Sequence, residues 1–159
     1  MVRDAAAVAT PSPLPARIGE TFAQRVRIRT EDIPAFATLV HDHNPLHHDV
    51  EAARAAGYPG LIASGTQLGS YLMALTATHF AQPTEDGIAR SGLGIGFDIR
   101  FRAVVLADED IDLAWRVTGL ERKERLDGWI CLLEGEARSE RALLLSATGT
   151  LLLRLAPSP

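Results

Sequence analysis

The sequence predicts an α+β fold in which an antiparallel β-sheet wraps around one long central helix. The first half of the 159-residue chain places apolar residues at helical spacing, whereas the second half alternates apolar and polar residues with a period of two. The segment 64–80 carries no charged side chain between Gly65 and Thr78, so a helix there must be buried on most of its circumference. A sheet that curls around such a helix shields both from water.

The first elements are a strand candidate at residues 21–29 and a short helix after it. Thr30 is a candidate N-cap for this helix. The helix should end near His41, because Pro45 disfavours helical geometry in Asn44. Its core-facing stripe is formed by apolar residues at i, i+3, i+4 and i+7, namely Ile33, Phe36, Ala37 and Val40.

Two further helices follow in the first half. Asp49 can cap a short helix that Gly57 closes. Ser64 is the predicted cap of the long helix, which runs to about Phe80. Gly69 lies inside this helix and costs on the order of 1 kcal/mol of stability relative to Ala, which predicts the close approach of another backbone.

The second half predicts half-buried antiparallel strands. Residues 129–138 and 141–153 are two strand candidates; a charged connection at 121–128 precedes the first, and a tight turn at Ser139-Glu140 separates the two. Two earlier strands have the clearest alternation, with apolar positions at Ile95, Phe97, Ile99 and Phe101 in one and at Ile111, Leu113, Trp115 and Val117 in the other.

Composition is that of a globular enzyme or binding protein of one domain. The chain is 47% hydrophobic and 23% charged with a formal net charge of -4, so no electrostatic attraction to nucleic acid or an anionic membrane is expected. The single cysteine, Cys131, excludes an internal disulfide and suits a cytoplasmic location. Residues 1–15 are rich in Ala and Pro and predict a flexible lead-in to a domain at 16–156.

Four of the five histidines lie within residues 41–49, and this cluster has three interpretations. It is a solvated polar loop between helices, a metal site, or an acid–base site. Asp and His are possible metal ligands, yet their spacing matches no familiar helical or zinc-ribbon pattern and Pro45 interrupts the segment. In the acid–base interpretation, Asp42 and His47 point at one water molecule, because a carboxylate orients or deprotonates water and imidazole titrates near neutral pH.

The segment Asp42-His43-Asn44-Pro45-Leu46-His47 resembles the D-x-N-P-x-H motif of MaoC-like dehydratases and (R)-specific enoyl-CoA hydratases. The resemblance extends in order from about residue 17 to about residue 155. Three further segments match the family in the same order along the chain: the helix around Ala35-Phe36-Ala37, the lead-in Gly60-Leu61-Ile62-Ala63, and the strand that starts at Gly94. The motif together with these segments is specific to the family, whereas the six motif residues alone would not be.

This resemblance implies a hot-dog fold and a homodimer whose interface admits an acyl-CoA. It also implies that Asp42 and His47 are the catalytic pair and that the backbone N–H of Gly65 meets the thioester oxygen. The expected helix start at Gly65 agrees with this role, because unpaired N–H groups there favour negative charge. Ser64 and Thr66 stand where many relatives have His and Met, which makes the helix start more polar and less bulky and leaves the identity of the substrate open. The expected substrate-binding residues are Asn44, Ser64 and Thr66.

The expected reaction is the reversible addition of water to a 2-enoyl-CoA, giving an (R)-3-hydroxyacyl-CoA. No metal or redox cofactor is expected, and coenzyme A enters only as part of the substrate. Arg100 and Arg102 either meet the coenzyme A phosphates or are arginines on the solvent face of a strand. Acyl-CoA thioester hydrolysis on the same fold is one alternative, and a non-catalytic acyl-thioester-binding or protein-binding module is another. The acyl group, the carrier (coenzyme A or acyl carrier protein) and the pathway stay open.

Overall fold

The computed structural model describes residues 13–156, and it confirms the predicted α+β fold. Residues 1–12, which make up most of the predicted flexible lead-in, lie outside the described residues, as do residues 157–159. In chain order the elements are β1 (Thr21–Arg27), α1 (Asp32–Leu39), a 3-10 helix (Pro45–His47), α2 (Val50–Ala55), β2 (Ile62–Ala63), α3 (Gly65–Phe80), β3 (Arg90–Phe101), β4 (Val105–Leu106), β5 (Asp110–Lys123), a second 3-10 helix (Glu124–Leu126), β6 (Gly128–Arg138) and β7 (Leu143–Leu155).

Five strands form one antiparallel sheet in the order β1-β5-β6-β7-β3. Trp115 on β5 lies opposite Phe22 on β1 and Gly135 on β6, so these positions share one face of the sheet. The short strands β2 and β4 pair separately, which places Ile62 opposite Leu106. Because β3 is an edge strand, one side of its backbone has no neighbouring strand within the described chain.

The helix α3 contacts all five strands of the large sheet, so it lies along the inner face as predicted. Leu68 and Leu72 on this helix are fully buried. The indole N–H of Trp115 donates to the carbonyl oxygen of Leu72 at 2.7 Å, which ties the centre of the sheet to the middle of the helix. Cys131 is buried in this core, and burial raises the pKa of its thiol to about 12.

Two of the three predicted helix caps are confirmed. The carboxylate of Asp49 accepts from the backbone N–H groups of Glu51 and Ala52, and the hydroxyl of Ser64 accepts from the N–H of Gln67. The prediction for Thr30 was wrong, because Glu31 occupies the N-cap of α1 without a side-chain hydrogen bond. The hydroxyl of Thr30 donates instead to Asp108 at 2.7 Å.

Three local expectations differ from the structure. Sequence reasoning predicted no helix between Asn44 and Asp49, whereas Pro45–His47 forms one 3-10 turn. Strand β5 continues to Lys123, into the predicted connection. Gly69 faces the side chain of Ile99 and not a backbone, with 3.2 Å between a β-carbon built at Gly69 and the Ile99 Cδ1.

Strand β3 is more exposed than its alternation predicts. Phe97 and Ile99 pack against the core, but Ile95 and Phe101 are 52% and 56% exposed. A register shift between Gly94 and Gly96 turns Ile95 out of the alternation, and the edge position leaves Phe101 uncovered on one side. No helix in the described part of the chain is both long and apolar enough to cross a bilayer.

Candidate active site

Asp42 and His47 are neighbours in the structure, as the sequence predicts. The Nε2 atom of His47 lies 3.5 Å from the Oδ2 atom of Asp42. The His47 side chain is only 7% exposed, whereas that of Asp42 is 31% exposed. At this separation the two polar atoms contact each other without a short hydrogen bond, so both are within reach of one water molecule.

The loop after α1 fixes the Asp42 carboxylate. His41 has a φ of 58°, in the left-handed region, which turns the chain out of the helix, and the N–H of Asp42 returns to the carbonyl oxygen of Ala37 at 2.8 Å. The Asp42 Oδ1 atom accepts from the N–H of Asn44 at 3.0 Å. One carboxylate oxygen therefore stabilises the loop while the other faces His47.

Asn44 supports the loop with its side chain. Its amide oxygen accepts from the N–H of Leu46 at 3.1 Å and so caps the 3-10 turn that carries His47. The structure does not place Asn44 among the residues that line the cavity described below.

The tautomer of His47 follows from its neighbour on β2. The Nδ1 atom lies 2.7 Å from the carbonyl oxygen of Ile62, which can only accept, so Nδ1 carries a proton. In the neutral ring, Nε2 then presents a lone pair toward Asp42. His47 is thereby oriented to accept a proton from a water held between the two groups.

His48 is a contact that the sequence reasoning missed. Its Nε2 atom lies 2.6 Å from the carbonyl oxygen of Asp42 and therefore donates to it. His48 thus binds the carbonyl of Asp42, while Ala37 binds its N–H. His41 and His43, the other two histidines of the cluster, are exposed.

Gly65 is the first residue of α3, as predicted. Among the described residues, its backbone N–H has no hydrogen-bond acceptor. The Ser64 hydroxyl is shared with the N–H of Gln67 at 3.2 Å and the Thr66 hydroxyl at 2.8 Å. The helix start therefore presents the unpaired N–H of Gly65 beside two hydroxyl groups that are hydrogen-bonded to each other. An unpaired N–H at a helix start favours the binding of an anionic oxygen.

One cavity of about 500 Å³ brings these groups together. Five of the six predicted site residues line it, the exception being Asn44. The rest of its wall is largely apolar and comes from the two residues before Ser64, from residues 101–105 and from β7: Ile62, Ala63, Phe101, Arg102, Ala103, Val104, Val105 and Leu144. A larger groove of about 930 Å³ lies on the outer face of the sheet and contains none of the predicted catalytic residues.

The ring of Phe101 packs against the start of α3. A β-carbon at position 65 would lie 2.6 Å from its Cε1 atom, so the ring covers the α-carbon of Gly65. The sequence pattern placed Phe101 on the inner face of a strand, but its contact with Gly65 depends on pairing across the sheet.

Within residues 13–156, no group of three His, Cys, Asp or Glu side chains is arranged to hold a metal ion.

Curated proteins are similar to this chain in sequence. A mitochondrial 3-hydroxyacyl-[acyl-carrier-protein] dehydratase from Arabidopsis thaliana is 27% identical over 110 residues, which are 69% of this chain and 61% of that protein. The curated relatives are thus matched over less than two thirds of their length.

Solved structures match almost the whole chain. A MaoC-like dehydratase from Rhodospirillum rubrum is 25% identical with a TM-score of 0.72, over 90% of this chain and 96% of that one. An (R)-hydratase from A. caviae involved in PHA biosynthesis is 21% identical with a TM-score of 0.72, over 89% and 98%. These matches confirm the hot-dog fold.

The family model described as MaoC like domain matches residues 14–129. The chain therefore belongs to the MaoC-like domain family, as the motif around Asp42 and His47 predicts.

Proposed function

We propose that this protein is a hydratase that adds water reversibly to a 2-enoyl-CoA and forms an (R)-3-hydroxyacyl-CoA. One observation carries the proposal: Asp42, His47 and the unpaired N–H of Gly65 line the same cavity. Membership of the MaoC-like domain family supports it. The 3-hydroxyacyl-[acyl-carrier-protein] dehydratase and the (R)-hydratase among the relatives carry out reactions of the same class by name.

The thioester carbonyl oxygen accepts a hydrogen bond from the N–H of Gly65. A water molecule donates its two protons toward the Nε2 of His47 and the Oδ2 of Asp42, which are 3.5 Å apart. The water oxygen bonds to C3 as one of these groups takes its proton. The electron pair of the double bond moves onto C2 and the thioester oxygen, and the same pair of side chains delivers a proton to C2.

Negative charge on the thioester oxygen is greatest in the transition state, so the Gly65 donor is most effective there. The donor belongs to a 16-residue helix whose dipole adds to the stabilisation. One oxyanion donor contributes about 10²- to 10³-fold to the rate. Acid–base catalysis by the positioned pair contributes about 10²- to 10⁴-fold.

The active form in this proposal is a homodimer. Strand β3 is one of the two edge strands of the sheet, and it exposes Leu93 and Ile95 at 61% and 52%. Exposed, apolar sheet edges are pairing surfaces. Phe101, at the end of this strand, lines the cavity, so a second copy at the edge would add to the cavity wall.

The experiment is turnover of crotonyl-CoA and of a longer enoyl-CoA by the wild-type protein. The proposal expects loss of the enoyl thioester absorbance and an (R)-3-hydroxyacyl-CoA as product in chiral analysis. Release of free coenzyme A would instead show thioester hydrolysis. A folded protein that binds acyl-CoA but converts none of these substrates would favour a binding module.

A further inference from the structure

The segment 102–109, which joins β3 to β5, forms part of the wall of the catalytic cavity that Asp42 and His47 line. Its first four residues border the cavity directly. The segment contains the two-residue strand β4, whose pairing with β2 places Leu106 opposite Ile62. The carbonyl oxygen of Ile62 binds the Nδ1 of His47 at 2.7 Å. The position of β4 therefore bears on the orientation of His47.

Arg141 binds this segment at two points. It lies in the turn between β6 and β7. Its Nη2 atom donates to the carbonyl oxygen of Val104 at 2.6 Å, and its Nε atom donates to the Oε1 atom of Glu109 at 2.9 Å. Val104 is the residue before β4, and Glu109 is the residue before β5. One planar guanidinium therefore fixes the chain on both sides of β4.

The other hydrogen bonds of the segment lie at its two ends. At the first end, the N–H groups of residues 102 and 103 donate to the carbonyl oxygen of Leu144 at 2.9 Å and 3.3 Å. At the second end, the N–H of Asp108 donates to the carbonyl oxygen of Ile28 at 2.8 Å. Between them, the main chain of 104–106 receives one side-chain hydrogen bond within the described residues, and the guanidinium supplies it. A strand pair of only two residues thus depends on one side chain for hydrogen-bonded support.

The Glu109 carboxylate indicates that the charge of Arg141 is needed at this place. The Glu109 side chain is 16% exposed, and its Oε2 atom is buried without a hydrogen-bond partner among the described residues. Arg141 is the one ion-pair partner of Glu109 in that part of the chain. Removing one member of a largely buried ion pair leaves the other charge unpaired, which is destabilising. An uncharged residue at position 141 should therefore displace Glu109 together with the chain beside β4.

We propose that Arg141 is a positioning residue for the reaction: it holds β4 against β2 and so keeps the Ile62 carbonyl in place to fix the Nδ1–H tautomer of His47. This inference rests on the proposed function for the reaction that it assists. With Nδ1–H bound, Nε2 presents its lone pair to the water that Asp42 also holds. Without that bond the neutral ring populates both tautomers, and a ring protonated on Nε2 cannot take the proton of the water.

The kinetic test compares Arg141→Gln with wild type in the hydration of crotonyl-CoA. We expect kcat to fall on the order of 10- to 100-fold, because a hydrogen bond to a charged group is lost. The KM should change little, since Arg141 does not line the cavity. The matched control is Arg138→Gln at the other side of the same turn, where an exposed arginine pairs with Glu136 at 2.7 Å and borders no part of the cavity. This control should keep the kcat of wild type.

Arg141→Lys is the second variant, and it separates positioning from general stability. A lysine ammonium keeps the charge beside Glu109 but lacks the planar fork that reaches both oxygens. Its free energy of unfolding in urea should lie near that of wild type, whereas its kcat should stay low. A wild-type kcat in Arg141→Lys, or in a folded Arg141→Gln, would overturn the inference.

A spectroscopic measurement tests the route to His47 without any substrate. Long-range proton–nitrogen correlation NMR spectra, assigned by comparison with His47→Gln and recorded where the ring is neutral, distinguish protonation on Nδ1 from protonation on Nε2. We expect the Nδ1–H tautomer in wild type and in Arg138→Gln, and a mixture of both tautomers in Arg141→Gln.

The two measurements together separate this inference from the proposed reaction. A lowered kcat with an unchanged His47 tautomer, or a mixture of tautomers already in wild type, would overturn the route through Ile62. If wild type hydrates no enoyl thioester but the tautomer changes in Arg141→Gln, the positioning of His47 stands and only the proposed reaction fails.

Discussion

The ring of Phe101 leaves no room for a β-carbon at position 65, since its Cε1 atom would lie 2.6 Å from that carbon. The contact explains why a glycine starts α3, although φ at this position is not in the left-handed region. A side chain there would push the ring into the cavity or move the helix start. Either displacement changes the distance from the Gly65 N–H to the substrate oxygen.

We therefore predict that Gly65→Ala lowers kcat/KM for the enoyl thioester by about 10²- to 10³-fold, the loss expected for one oxyanion donor. Combining it with Phe101→Ala should recover part of the activity, because the clash is removed while the N–H is kept. Gly69→Ala in the same helix is the control, since Gly69 does not line the cavity. Full activity of Gly65→Ala in steady-state kinetics would contradict the role of this helix start.

Within single elements, sequence reasoning succeeded where the interaction was local. Asp49 and Ser64 were recognisable as caps because each bonds an N–H only two or three residues away. Thr30 failed as a cap because Asp108, 78 residues later, binds its hydroxyl. Contacts at that separation leave no signal in spacing or periodicity.

In the candidate site too, sequence reasoning found the residues of a local segment and missed contacts between distant segments. The motif contains Asp42 and His47, and the cap at Ser64 predicts the unpaired N–H next to it. The opposite wall is formed by Phe101 at the end of β3, Arg102 directly after it and Leu144 on β7, which meet only because of the order of the strands in the sheet. Apolar alternation predicted the strand that ends at Phe101 but not which cavity this strand borders.

The C-terminal end of α3 is tied to the segment before β1 by a group of polar and charged side chains. Glu20 lies 2.6 Å from the Nε2 of His79 and 3.4 Å from the Nη1 of Arg90. Burial alone would raise the pKa of Glu20. Hydrogen bonds from His79 and from the N–H of Arg17, together with the charge of Arg90, outweigh it and hold this pKa below its ordinary value of 4.5.

Because the folded protein holds the Glu20 pKa below its unfolded value, the ionised carboxylate stabilises the fold above pH 4.5. This stabilisation is lost as the pH falls through the lowered pKa of the folded state. We expect Glu20→Gln to reduce the free energy of unfolding at pH 7 by about 1–3 kcal/mol and to flatten its dependence on pH below 4.5. Urea titrations at several pH values measure both effects.

The control for this prediction is Glu85→Gln. Its carboxylate also pairs with an arginine, Arg17, but is 83% exposed, so its loss should leave the stability nearly unchanged. An acid-side slope in Glu20→Gln equal to that of wild type would refute the assignment to Glu20.

At the scale of the whole molecule, the main feature is that the two edge strands of the sheet expose different kinds of side chain. Strand β1, at one edge, carries charged side chains such as Arg25, which pairs with Asp112 on the neighbouring β5 at 2.7 Å, whereas β3 at the other edge exposes Leu93 and Ile95. Charged side chains prevent edge pairing, and apolar ones favour it. If the proposed homodimer forms through a sheet edge, this asymmetry favours β3 over β1.

We predict that the wild-type protein sediments at twice the chain mass of 17.1 kDa and that Ile95→Lys shifts it toward the monomer. The variant should lose activity together with the dimer, because the cavity borders this edge. Leu132→Lys is the control, since Leu132 is 46% exposed but lies on β6, inside the sheet. A fully active wild-type monomer in sedimentation equilibrium would contradict the dimer.

The central claim is that Asp42 and His47 act together on one water molecule. The most direct measurement is kcat for enoyl-CoA hydration by wild type, Asp42→Asn, His47→Gln and the double variant, with circular dichroism to establish that each is folded. We predict that each single substitution lowers kcat by about 10²- to 10⁴-fold and that the double variant is hardly slower than either, because the two groups work as a unit. Losses that multiply in the double variant, or an Asp42→Asn protein as fast as wild type, would contradict the account.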